Sequence, residues 1–265
     1  MKILCVVKFV PDVDNFNYDF EKNTLLREGI RQILNPDDAC AVAFALKLKD
    51  MYPQTSVEVI TMAPLSIMPN VEDLARLGVD RCIVLSDKGF SGSDTYATSY
   101  VLAKYLSNQI FDCIFSGTHA IDGDTSHVPA QIAQRLDLVQ LSNIRWVEQS
   151  TFDKTSCTVV IEDELFTRTY EVDFPAVLSF TRESGYKLPY VKRENMYMDF
   201  SSSIHVLTLE DLSIHPSEVG QEGSLTKVVN TYTKKFTAKD KKIVSTDEEG
   251  VEAVFEFLRD KGLIT

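Results

Sequence analysis

The chain has 265 residues, 44% of them apolar, which is enough for a sizeable core in one or two domains. A formal net charge of −12 excludes a phosphate-coating nucleic-acid binder, which needs clustered Lys and Arg, and disfavours a non-specific role on anionic membranes. No window approaches the roughly 20 apolar residues of a membrane span, and five scattered cysteines without a Cys-x-x-Cys pair read as reduced, buried thiols of a cytoplasmic protein that holds no iron–sulfur cluster of its own.

The start, Met1-Lys2-Ile3-Leu4-Cys5-Val6-Val7-Lys8, superficially looks like a secretory signal. Its apolar stretch breaks at Lys8 and runs into Pro11-Asp12 without a small-residue cleavage site, so residues 2–10 are expected as a strand buried on both faces. Residues 14–30 alternate weakly, as a hairpin excursion would. Asn35-Pro36-Asp37-Asp38 predicts a helix start: Asn caps, Pro takes the first helical position, and two acids meet the positive end of the dipole. Ala39, Val42, Ala43 and Leu46 then form an apolar stripe. A strand over 57–62 is followed by a turn at Ala63-Pro64 and a helix over about 70–77, closed by Gly78. Next come a strand over 81–86, a helix from Ser93-Asp94, a strand over 112–116, and a helix over about 125–136. This alternation predicts an α/β fold with a doubly wound, mostly parallel, Rossmann-like sheet.

From about residue 139 the pattern changes to a β-rich extension. Residues 155–180 give short strand-like runs around the charged turn Glu162-Asp163-Glu164, and residues 183–203 are loop-like and polar, interleaved with tyrosines and methionines. The tail ends in an amphipathic helix (Val251, Val254, Phe255, Leu258) after Thr246-Asp247-Glu248-Glu249. The expected organisation is one cofactor-binding domain over 1–199 and a C-terminal arm over 200–265.

Ligands of open parallel sheets bind at the carboxyl ends of the strands. Four segments fall there: Val6-Val7-Lys8, Asn35 to Asp38, Thr61-Met62-Ala63-Pro64, and Gly117-Thr118-His119-Ala120-Ile121-Asp122-Gly123-Asp124-Thr125-Ser126-His127-Val128. In the last, Gly117 and Gly123 allow backbone amides to approach a ligand, and Thr125 and Ser126 add hydroxyls at a helix start; a phosphate or pyrophosphate requires this. A plain capped loop has the same spacing. Asp122 and Asp124 flanked by His119 and His127 also admit a metal, although no Glu closes an EF-hand pattern. Ser126-His127 is a poor catalytic pair, because neighbours on a helix diverge. Neither a Gly-x-Gly-x-x-Gly fingerprint nor a P-loop occurs, and Lys8-Phe9-Val10-Pro11 stands where an ATP-cleaving relative would want a Ser-Gly-Gly loop.

Taken in order, these segments resemble the small (beta) subunit of electron-transfer flavoproteins over nearly the whole chain. The likeness is carried by Val7 to Asp12, by Asn35-Pro36, by Arg76-Leu77-Gly78-Val79-Asp80-Arg81, by Ala120-Ile121-Asp122-Gly123-Asp124-Thr125, by Phe174-Pro175-Ala176-Val177, and by Gly185-Tyr186-Lys187-Leu188-Pro189. The resemblance implies a heterodimer with a larger alpha subunit, on which the arm would pack. It implies a cofactor pocket formed by Val6, Asn35, Pro36, Asp37, Asp38, Met62 and Gly117 to Val128, with no side chain acting as acid, base or nucleophile and no hydrolase or transferase activity. Electron-shuttling members of that family hold AMP there as a structural ligand. Bifurcating members hold a second FAD that takes hydride from NADH. They send one electron to ferredoxin or flavodoxin and the other, through the alpha-subunit FAD, to a flavin-dependent dehydrogenase of acyl-CoA or 2-hydroxy-acid type. AMP-holding relatives commonly carry three acids in a row at this turn, whereas Asp122-Gly123-Asp124-Thr125 is similar to the bifurcating group, so FAD is expected. The chain departs from the family at His127, usually Gln, and at Val128-Pro129, usually Gly-Pro. The resemblance also implies that residues 184–198 form a recognition loop with Leu188 as the apolar anchor for the dehydrogenase.

Overall fold

A strand without polar alternation is stable only where both of its faces are covered, and Lys2–Val6 (β1) is such a strand, with Ile3, Leu4 and Cys5 fully buried. The computed structural model describes residues 1–12, 18–19, 24–25, 31–162, 165–227 and 243–264. The chain continues through Phe9–Pro11 (β2), Tyr18–Asp19 (β3), Thr24–Leu25 (β4), Gln32–Leu34 (β5) and the helix Pro36–Met51 (α1). Three strand–helix alternations follow from there: Ser56–Met62 (β6), Met68–Arg76 (α2), Arg81–Leu85 (β7), Thr95–Leu106 (α3), Cys113–Gly117 (β8) and His127–Leu136 (α4). Then come Val139–Glu148 (β9), Ser156–Glu162 (β10), Thr167–Asp173 (β11), Ala176–Phe180 (β12), Ile204–Leu207 (β13), the single turn Gly220–Gly223 (α5) and Glu248–Asp260 (α6).

Among the described residues the main sheet has nine strands in the order β11-β10-β9-β12-β8-β1-β6-β7-β13. β10 runs antiparallel to β9 and β11, and the remaining neighbours are parallel. β6 and β7 add to one side of β1, while β8 and β12 add to the other. The winding therefore reverses between β1 and β8, and the loops leaving those two strands diverge into a crevice. The two faces alternate as the strand period demands. Ile3, Cys5, Val59 and Phe115 pack under α1 and α2, whereas Leu4, Ile60 and Ile114 pack under α3 and α4. This is the expected doubly wound α/β sheet with a β-rich extension.

Several expected elements take a different form. The run 2–10 is two strands, because Lys8 leaves the sheet: its amide donates to Asp38 and its carbonyl accepts from Asn35. β2 then pairs with β5. Of the hairpin excursion, β3 and β4 pair antiparallel, and the rest of residues 13–30 lies outside the described residues. β9 was not expected; it joins the parallel sheet at β12 and carries the antiparallel extension at β10. The compact unit runs from Met1 to Lys227, further than residue 199, because β13 pairs with β7 at the sheet edge. The second unit, Val228–Thr265, contains α6, capped by Asp247 onto the Gly250 amide and carrying an uncovered stripe of Val251, Val254 and Phe255. All five cysteines are free and buried, and burial pushes the thiols of Cys82 and Cys157 up to about 12. No helix of the described residues is long and apolar enough to cross a membrane.

The helix α1 is buried on nearly every side, and the expected stripe of Ala39, Val42, Ala43 and Leu46 is one part of a wider apolar surface. Its hub is Phe44, fully buried, whose ring centroid lies 5.8 Å from Phe115, 5.8 Å from Phe152, 5.4 Å from Phe180 and 4.8 Å from Tyr186. These neighbours come from β8, β12 and the loops of the extension, so one ring ties the two halves of the sheet to a single helix. Replacing Phe44 with Ala is expected to cost about 3–5 kcal/mol through lost burial and the cavity left behind, read as a shift of the urea unfolding midpoint.

Candidate functional site at the sheet switch point

The site is built outward from the first turn of α1. Asp38 is buried, and its carboxylate accepts the Gly117 amide at 2.6 Å and the Lys8 amide at 2.9 Å. Asp37 accepts the His119 amide at 2.9 Å and the Arg182 amide at 3.0 Å. Two neighbouring carboxylates thus hold the loops leaving β1, β8 and β12. Asn35 occupies the N-cap position, yet its side chain caps nothing. It donates to the His119 carbonyl at 2.6 Å and accepts from the Ile121 amide at 3.2 Å, while 1% exposed. Burial pushes the Asp38 carboxyl up to about 7, against the pull of the Lys8 and Gly117 amides and of Asn35, and Asp37 adds repulsion. Burial likewise raises Asp37, opposed by the amides of His119 and Arg182.

Gly117 is a glycine for the same reason. A Cβ there would lie 2.6 Å from Asp38 Oδ1 and 2.7 Å from Asp37 Cβ. Its amide belongs to Asp38, so it is not available to a ligand, contrary to the sequence expectation. The amides of Thr118, His119, Ile121, Gly123 and Asp124 are also committed within the protein, to Phe180, Asp37, Asn35 and, for the last two, Ala120. The loop closes on two residues in the left-handed region, Asp124 at φ 48° and Ser126 at φ 55°. Such conformations cost on the order of 1–3 kcal/mol each unless their surroundings hold them. His119 does so: its Nδ1 lies 3.0 Å from Asp124 Oδ1 and 2.7 Å from Ser126 Oγ. The donors that face outward are those of the first turn of α4, which no side chain caps.

These groups border a cavity of about 410 Å³, within the ~300–1,000 Å³ of small-molecule sites. Of the expected residues, Val6, Asn35, Asp38, Met62, Gly117, Thr118, His119, Ala120, Gly123, Asp124, Thr125, Ser126, His127 and Val128 line it. Pro36, Asp37, Ile121 and Asp122 do not. Pro36 opens α1, Asp37 and Ile121 face a separate groove beside Arg145 and Arg182, and Asp122 pairs with Lys8 at 2.6 Å. Asp122 and Asp124 therefore diverge, one to Lys8 and the other to His119. Gly123 is not in the left-handed region, and a Cβ on it would meet nothing within 4 Å. Sequence reasoning missed the start of α3, where Ser93, Asp94, Thr95 and Thr98 line the opposite wall. The cap Ser93-Asp94 was legible as a helix start, but its convergence on the start of α4 depends on strand order. Leu188, expected as an exposed anchor, is half-buried against the α1 side of the core; in that loop Tyr190 and Tyr197, 97% and 89% exposed, are the most uncovered of the large apolar groups, with Met196 and Met198 also exposed.

A substitution at Asp38 tests the carboxylate clasp. Asp38→Asn turns an NH2 group toward one of two amide donors and is expected to cost about 1–3 kcal/mol. Because the folded carboxyl titrates near 7, above its ordinary value of 3.8, the native state binds the extra proton. The Asp38 contribution is complete below about pH 4 and is lost as pH rises through 7. The stability gap between the natural chain and Asp38→Asn should therefore narrow from pH 4.5 to 8, measured by urea unfolding at each pH.

The family described as electron transfer flavoprotein domain matches residues 22–189. The electron transfer flavoprotein subunit beta of Thermoanaerobacterium thermosaccharolyticum is 34% identical, with 100% of both chains covered. The caffeyl-CoA reductase-Etf complex subunit CarD of Acetobacterium woodii is 33% identical over 88% of each chain. The acryloyl-CoA reductase electron transfer subunit gamma of Anaerotignum propionicum is 31% identical over 100% of each. Likeness that runs through the sheet, the extension and the tail alike leads to one conclusion: the chain belongs to the electron transfer flavoprotein family, among relatives that include its beta subunits.

Proposed function

We propose that the chain is the beta subunit of an electron transfer flavoprotein, holding FAD in the switch-point cavity of a heterodimer with an alpha subunit. When bound, FAD supplies hydride acceptance from NADH and electron bifurcation toward ferredoxin or flavodoxin and, through the alpha-subunit FAD, toward a partner dehydrogenase. The chain's own residues bind and orient. The uncapped first turn of α4, with Thr125 and Ser126, offers donors to a diphosphate. Lys8 brings a cation to the same wall, and Val6, Met62, Leu102 and Ile132 give apolar contact for an adenine. The observation that carries FAD over a smaller ligand is the vacant space at Gly123, where the cofactor could continue past the loop.

A second reading places AMP in the same cavity as a structural ligand, with electrons moving in the alpha subunit alone. The volume of about 410 Å³, in the lower part of the small-molecule range, favours it. The dehydrogenase partner is proposed to be of the acyl-CoA type rather than the 2-hydroxy-acid type, because two relatives are named for caffeyl-CoA and acryloyl-CoA reductases. The exposed stripe of α6 is proposed to pack on the alpha subunit, and the loop over 183–198 to meet the dehydrogenase.

Counting flavins in the purified heterodimer separates the two readings: two flavins support FAD here, and one flavin with one AMP rejects it. Gly123→Asp has room for its side chain and is expected to fold within about 0.5 kcal/mol of the natural chain, yet to lose most of the beta-subunit flavin on absorbance assay. Tyr190→Ala is expected to slow electron transfer to the partner dehydrogenase by roughly tenfold, the scale of an interface hot spot, while NADH oxidation by artificial acceptors is unchanged. Leu188→Ala, packed on its own core, should instead lower the unfolding midpoint.

A further inference from the structure

The wall of the cavity opposite α4 contains an acid, which is unexpected beside a phosphate ligand. Asp94 lines the cavity at the start of α3. Its Oδ1 accepts the Ala97 amide at 3.0 Å, as an N-cap does. Its Oδ2 is taken from another direction: Thr226 donates both its amide and its hydroxyl to that oxygen, each at 2.8 Å. The Asp94 amide in turn donates to Ser224 Oγ at 2.8 Å. Ser224 is buried and donates back to the Gly220 carbonyl at 2.6 Å, and the Gly220 amide reaches Ser93 Oγ at 3.0 Å. Gly220 has φ +64°, and a Cβ on it would lie 2.5 Å from the Gly89 carbonyl oxygen, so this approach requires glycine. Residues 220–226 thus form a strap, some 130 positions away in sequence, stitched behind the cavity wall to the acidic cap of α3.

We propose that Asp94 is a positioning residue that couples the strap to the cavity: strap docking and anionic ligand binding favour each other, because the strap holds a carboxylate that would otherwise repel the ligand. The proposal rests on the nucleotide reading above. With Thr226 in place, the second oxygen of Asp94 is saturated by two donors and drawn toward the strap. With the strap released, that oxygen loses both donors and stands as a bare charge on the wall of a phosphate site. Partial burial pushes the Asp94 carboxyl up, and the Ala97 and Thr226 donors outweigh this and hold it below the usual range, so the group is a full negative charge that must be contained. Coupling of this kind is reciprocal: whatever the strap gives to ligand affinity, the ligand gives to strap docking.

The test is a double-mutant cycle on the full-length chain, with AMP and FAD as the titrants in calorimetry. Thr226→Val removes the hydroxyl donor at nearly constant volume and is expected to weaken binding about fivefold to tenfold, the lower range of site-to-site coupling. Asp94→Asn keeps the α3 cap and removes the charge, so it should bind at least as tightly as the natural chain. In the Asp94→Asn background, Thr226→Val should change affinity by less than twofold. Amide exchange over 218–226 should slow on nucleotide addition in the natural chain and respond less in Asp94→Asn. Ser224→Ala provides a second strap variant should Thr226→Val lower stability. Equal loss of affinity in both backgrounds, or strap exchange indifferent to bound nucleotide, overturns the coupling and leaves the nucleotide reading standing. A natural chain that binds neither AMP nor FAD, alone or with its alpha subunit, overturns both.

Discussion

Everything at the carboxyl edge of the sheet depends on two buried carboxylates at the start of one helix. Loops that leave parallel strands at a switch point have amides with no ladder partner, and buried amides must be satisfied somewhere. Asp37 and Asp38 satisfy four of them, from the loops after β1, β8 and β12. The positive end of α1 offsets part of the cost of burying the charge. Asn35 completes the arrangement by holding both a donor and an acceptor of the loop over 119–121. The result is a fixed floor, on which the more strained turn through Asp124 and Ser126 can be shaped.

That floor and that turn divide the work of the site. The residues of the floor face inward to protein partners, and the close approach of Gly117 to α1 sets how near the two loops can stand. The turn, clasped by His119, presents the uncapped start of α4 to the cavity, and the start of α3 faces it from the other wall. Two helix starts pointing at one cavity make an environment suited to an anion, and Lys8 adds a cation held by Asp122. Gly123 leaves the way out of the cavity clear.

Much of this was legible in the sequence, and the failures have physical causes. β1, β6, β7, β8 and β12 are short, mostly apolar runs with nearly every residue buried, and such runs declare a strand covered on both faces. β9 mixes polar and apolar residues because much of it is only partly covered, so its pattern resembles a loop. β13 is short and sits at an edge. The residue types at Asn35, Asp37 and Asp38 marked a helix start correctly, but their roles differ from a simple cap, since the groups they bind come from Lys8, from residues 117–121 and from residue 182. No local pattern carries that information. The same applies to Asp94, a legible cap whose second partner lies at Thr226. Leu188 is expected as an anchor from the family resemblance, and only the folded core shows that it is half covered.

The encasement of α1 also has a consequence during synthesis. Phe44 is translated early, whereas three of the rings that cover it, Phe152, Phe180 and Tyr186, are the last of its neighbours to leave the ribosome. β12, which inserts between β8 and β9, cannot close the sheet before then. A growing chain therefore displays an aromatic helix face with half of its cover missing, the type of transient surface on which chaperones act and from which aggregation begins.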